Sequence, residues 1–152
     1  MRPGARIGVD VGTVRIGVAT CDPGGVLATP VETVRRGPGD LDRLAAIAAE
    51  REAIEIVIGL PRTLAGAEGL AAEQVRTFAV DVAERVAPCP VRLVDERLST
   101  VVATRGMRAS GVSARSGRAS IDQAAAMVIL QDALDAERVG DQPPGEVLTV
   151  QR

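Results

Sequence analysis

The stretch RIGVDVGTVRIGVA, residues 6–19, alternates apolar residues with small or polar ones and reads as two strands, 6–11 and 15–21, joined through Gly12 and Thr13. Alternation sends Ile7, Val9 and Val11 to one face and Gly8, Asp10 and Gly12 to the other. A carboxylate therefore stands on a strand face otherwise cleared of side chains. One reading makes Asp10 the cap of a turn at Gly12. The other makes it part of a chemical site.

Outward from this pair, VLATPVETV (26–34) continues as a third strand of a meander, with Pro30 implying an edge or an irregular position. Leu41, Leu44, Ala45 and Ala48 recur at helical spacing between Asp40 and Glu52, and IEIVIGLP (54–61) is a short buried strand stopped by Gly59 and Pro61. Residues 68–86 form a second helix, and CPVRLVDE (89–96) a fifth strand. STVVATRGMRAS (99–110) is a short helix opening on a Ser/Thr cap, and SIDQAAAMVILQDALDAE (120–137) a long helix. The expected architecture is α/β, a mixed sheet of about five strands flanked by helices. A single domain over residues 1–139 is expected, followed by a loose tail over 140–152.

With 152 residues, one domain buries roughly 70% of its unfolded-chain surface. No apolar run approaches the ~20 residues that span a bilayer. The N-terminal MRPGARIGVD lacks a signal peptide's apolar region, so a cytoplasmic location is expected. Cys21 and Cys89 are too isolated for a CxxC motif and suit reduced thiols. Absent residue types exclude more. Without histidine there is no Ser-His-Asp triad and no His-containing zinc site. All 18 basic residues are arginine, which removes a Walker A loop and any lysine nucleophile. Phe78 is the only aromatic residue, so base-stacking platforms are missing. Carboxylates, arginines, hydroxyls and backbone remain.

Two further acidic positions join Asp10. Asp95 and Glu96 end a strand, where sites form in open α/β sheets, although a solvated strand end reads equally simply. Asp122 shares a helical stripe with Ala125, Ala126 and Ile129 and so points toward the sheet. Its alternative is an acid in the first turn of a helix capped by Ser120 and Gln123. Acids converging without histidine or lysine imply a divalent cation, Mg²⁺ by preference with Mn²⁺ as substitute, because it tolerates a few carboxylates plus waters and phosphate oxygens. Two such ions can activate water and stabilise the leaving oxygen of a phosphodiester.

The net charge of −2 lacks a global basic footprint, but between Arg97 and Ile121 the chain carries Arg97, Arg105, Arg108, Arg115 and Arg118 and no acid. This tract, with Arg15 and with Arg62 of the loop GLPRTLAGAEG (59–69), supplies the candidate phosphate contacts. A plain solvated face is the alternative.

GVDVGTVRIGVA, VIGLPRTLAG, VRLVDERLST and IDQAAAMVILQDAL resemble, in order and over residues 5–137, the four motif blocks of the YqgF/RuvX family. The resemblance implies an RNase H-like fold and nuclease activity in maturing the 5′ end of pre-16S rRNA, with Holliday-junction-like branched DNA as a second substrate class. It further implies Asp10, Glu96 and Asp122 as metal-binding catalytic acids, with Asp95 adjacent. Two other classes stay open. DVGT also resembles the first phosphate loop of actin-like ATPases, which need a second lobe for which this chain has no room. The fold could also serve a non-catalytic ribosome-assembly or nucleic-acid-binding factor. A monomer and a homodimer are equally compatible with the sequence.

Overall fold

The structure, a computed structural model, describes residues 1–62, 67–95 and 114–148, and along 114–120 the backbone alone. The opening alternation becomes a hairpin of β1 (Arg6–Val11) and β2 (Arg15–Cys21), with Asp10 opposite Gly17 and Val11 opposite Ile16. β3 (Ala28–Arg35) pairs antiparallel with β2 at the sheet edge. Its register slips beside Pro30: Val18 faces Glu32 and Ala19 faces Pro30, leaving Val31 as the extra residue of a bulge. β4 (Glu55–Leu60) runs parallel to β1, and β5 (Val91–Asp95) parallel to β4. Every residue of β4 is buried, as a central parallel strand covered on both faces requires.

The strand order is β3-β2-β1-β4-β5-β6, so among the described residues the sheet has six strands where about five were expected. The addition comes from the stretch read as a loose tail. Glu146 and Val147 form β6 against Leu93 and Arg92, and the Leu148 amide donates to the Val91 carbonyl at 2.9 Å. Up to Leu148, therefore, this segment docks on the sheet edge.

Helices cover both faces. α1 (Asp40–Glu50) and α2 (Leu70–Val86) lie on one, where Leu44, Ile47, Val75, Phe78 and Val82 pack against Ile7, Val9, Ile16, Val18, Ile56 and Ile58. α3 (Ala114–Gly140) lies on the other, with Ile129, Leu130 and Leu134 against Val57 and Val94. Fully burying one such aliphatic side chain contributes about 1.5–3 kcal/mol. α3 begins at Ala114, well before Ser120, and its first turn holds no acid. Ser120 is thus inside the helix, and the capping reading of Ser120, Asp122 and Gln123 does not apply. The short helix expected over 99–110 lies outside the described residues. Among the described residues, no helix is long and apolar enough to cross a membrane.

Candidate active site

The cleared face of β1 is where α3 crosses the sheet. A Cβ on Gly8 would lie 2.7 Å from Leu130 Cβ and 2.8 Å from the Ala126 carbonyl oxygen. A Cβ on Gly17 would overlap the Asp122 carbonyl. The glycines let a helix backbone approach closely. Gly17 is also the cross-strand partner of Asp10, so the same close approach brings the backbone of Asp122 to the residue facing Asp10. Two acids more than a hundred positions apart are thus set on one face at one end of the sheet.

The Asp122 side chain is 22% exposed and accepts a hydrogen bond from Arg15 Nε at 3.0 Å. Next to it, Gln123 Nε2 donates to Thr33 Oγ1 at 3.1 Å, tying this turn of α3 to β3. The turn beneath Asp10 is held as well. The Gly12 amide donates to the Arg15 carbonyl at 2.9 Å, and Arg36 Nη1 donates to the Gly12 carbonyl at 2.8 Å while stacking on Phe78, 4.5 Å from its ring centre. Arg15, expected as a phosphate contact, is engaged by the acid it neighbours.

Other candidates fall elsewhere. Asp95 closes β5 in the alternation of Val91 and Leu93, whose side chains face α1 and α2, opposite to Asp10, and β4 separates the two strands. Arg62 pairs with Glu68 at 3.7 Å, and Arg76 bridges Glu68 to Glu146. Glu96, Arg97, Arg105 and Arg108 lie outside the described residues. Arg115 and Arg118 occupy the opening turns of α3. Among the described residues no three Asp, Glu or Cys side chains gather as a metal-binding group, with Glu96 outside that set. The donor type the sequence offers here, carboxylate oxygens without imidazole, fits a hard divalent cation.

Sequence patterning missed a second charged cluster, at the opposite end of β1. Arg6, Glu55 and Glu137 are each 3% exposed or less. Arg2 Nη2 lies 2.6 Å from Glu137 Oε1 and 3.2 Å from Glu55 Oε1, Arg6 Nη2 3.0 Å from Glu137 Oε2, and Arg92 Nε 2.9 Å from Glu55 Oε2. Burial works to raise the Glu137 carboxyl, but the hydrogen bonds from Arg2 and the charges of Arg6 and Arg2 outweigh it and hold it at about 2. This cluster fastens the C-terminal half of α3 to the sheet. Glycine spacing could have revealed Gly17, because a hairpin centred on Thr13 and Val14 pairs it with Asp10. Nothing local marks the buried charges.

A family model described as RuvX, Holliday junction resolvase, matches residues 4–136. The chain belongs to the RuvX family. Relatives of the family named "Putative pre-16S rRNA nuclease" include one from Streptomyces coelicolor, 59% identical over 152 residues, covering 99% of this chain and 91% of the relative. Another, from Thermobifida fusca, is 58% identical over 156 residues, covering 97% of this chain and 98% of the relative. Among solved structures, Thermus thermophilus RuvC in complex with a Holliday junction substrate matches with a TM-score of 0.57 and 16% identity, over 92% of this chain and 99% of that one. At that identity the likeness concerns the fold, and the RNase H-like architecture is the one expected for a RuvX chain.

Proposed function

We propose that this RuvX protein is a divalent-metal-dependent phosphodiester endonuclease that processes the 5′ end of pre-16S rRNA and also acts on branched DNA such as Holliday junctions. Family membership and the names of the relatives support the nuclease class. The observation that carries the site is the meeting of Asp10 and Asp122 through Gly17. In this reading residues 1–139 are the nuclease domain, working in the cytoplasm as a monomer or a homodimer.

Asp10, Glu96 and Asp122 would hold the metal, Mg²⁺ with Mn²⁺ as substitute. When bound, such a cation neutralises phosphate charge and lowers the pKa of an attacking water. The protein's own groups do the positioning. Asp10 is fixed on a central strand, and Arg15 occupies the Asp122 carboxylate until a cation displaces it. Arg97, Arg105, Arg108, Arg115 and Arg118 contact backbone phosphates, joined by Arg15 and Arg62 once these leave Asp122 and Glu68. Asp95, adjacent to Glu96, is the fourth candidate ligand, with the weakest claim because it follows the alternation of Val91 and Leu93.

The test is cleavage of a structured RNA carrying the 5′ leader of 16S rRNA and of a four-way DNA junction, with Mg²⁺, with Mn²⁺ and with chelator. Metal-dependent cuts that vanish in Asp10→Asn are expected. Equal cutting by wild type and Asp10→Asn would overturn the assignment. Binding without cutting would favour the assembly-factor reading.

A further inference from the structure

We infer that Arg35 is a phosphate-binding residue beside the acid pair, forming with Arg15 a two-arginine clamp for the nucleic-acid backbone; this rests on the nuclease reading. β3 ends with Arg35 directly opposite Arg15 of β2. Cross-strand partners share a face, so Arg35 lies on the α3 side, in alternation with Thr33, which receives the Gln123 hydrogen bond. Like charges directly opposite each other on paired strands are destabilising. Here one acid stands beside two cations and pairs with one of them: Asp122 accepts from Arg15, while the exposed Arg35 side chain makes no hydrogen bond or ion pair among the described residues.

The position is rigid. The Arg36 amide donates to the Val14 carbonyl at 2.9 Å, and the Arg36 side chain is pinned on the Gly12 carbonyl and the Phe78 ring. The nearest acid beyond, Asp40, is already taken up by Arg36 and by the amides of Gly37 and Leu41. A cation carried on a fixed stretch of backbone, with no side-chain partner among the described residues and next to carboxylates proposed to hold a metal over a phosphodiester, has the complement of a backbone phosphate. Once Asp122 turns to a metal, Arg15 faces the same phosphate from the adjoining strand. A guanidinium beside the metal site would also fix which phosphate in the strand lies over Asp10.

The test is a binding titration at several salt concentrations, using Asp10→Asn protein so that nothing is cut, with a structured RNA and a four-way DNA junction as probes. Arg35→Gln should lower the magnitude of the log–log salt slope by roughly 0.7–0.9, which is about fivefold to eightfold weaker binding at 0.1 M than at 1 M salt relative to the parent. Arg51→Gln, an exposed arginine at the far end of α1, should leave the slope unchanged. Arg35→Lys should keep the slope, since a phosphate contact needs the charge. If wild type cleaves with metal and Arg35→Gln behaves as Arg51→Gln does, the clamp is wrong and the nuclease reading stands. If Asp10→Asn binds neither probe and wild type cuts neither, both are overturned.

Discussion

Gly17 and the Asp122 carbonyl are in backbone contact, so position 17 has no room for a side chain. The obstacle is helix backbone, which cannot turn aside as a flexible side chain does. Gly17→Ala should therefore push α3 off β2, costing about 1–3 kcal/mol as an overpacked site does. A lowered urea midpoint with loss of metal-dependent cleavage in whatever folds is expected. Gly140→Ala, at the end of α3 with open space around it, should hold or raise the midpoint. Equal midpoints for Gly17→Ala and wild type would mean that helix and strand are not in this contact.

Asp10→Asn, Glu96→Gln and Asp122→Asn should each abolish metal-dependent cleavage, but their stabilities should differ. For Asp10→Asn and Glu96→Gln the measured change in stability without metal reports the balance between relieved acid–acid repulsion and lost partners, and the fold should persist. Asp122 has a counter-ion, Arg15, so Asp122→Asn should lose up to about 1 kcal/mol, the scale of a partly exposed ion pair. Cleavage assays beside urea unfolding read both effects, and wild-type cutting by any of the three would remove that acid from the site.

Arg15 competes with any cation for the Asp122 carboxylate. Arg15→Gln should bind Mn²⁺ more tightly than wild type, by roughly fivefold if the displaced ion pair is worth about 1 kcal/mol. Electron paramagnetic resonance of free Mn²⁺, titrated without nucleic acid, measures this independently of turnover. Weaker Mn²⁺ binding in Arg15→Gln would instead make Arg15 a support that holds Asp122 in ligand geometry.

The hairpin and the acid face were legible because strict alternation is a local property, and β1 and β2 have the bounds their pattern implies. The shift of β3 follows from Pro30, whose bulge lengthens the strand path at an edge. Ser120 and Gln123 imitate a helix start, yet capping patterns describe only what a start would look like, and α3 runs through them from Ala114. β6 has two residues and a partner strand more than fifty positions away, so no periodicity announces it. Separation in sequence hides the charged cluster too: Glu137 lies more than 130 positions from Arg2 and Arg6, and only the fold brings it onto them. Parity put Asp10 on the face of β1 that Gly8 turns to α3. The reason for its bare surroundings, a helix lying against Gly8 and Gly17, is tertiary.

That charged cluster sets an acid limit on stability. Glu137 is held at about 2 in the folded protein against an ordinary 4.5, so between those values the unfolded chain binds more protons and stability rises with pH. The contribution is fully present above about pH 4.5 and disappears as pH falls toward 2. A depression of that size corresponds to about 3 kcal/mol. Glu137→Gln leaves the buried Arg6 and the partly exposed Arg2 against a neutral amide, a loss of about 3 kcal/mol near neutral pH. Urea unfolding of both proteins from pH 7 down to 2 should give curves far apart at neutrality that converge near pH 2, where wild-type Glu137 is itself protonated. Curves that stay parallel over the whole range would mean the Glu137 carboxylate does not fasten α3 to the sheet, and the helix would then be held by its apolar contacts alone.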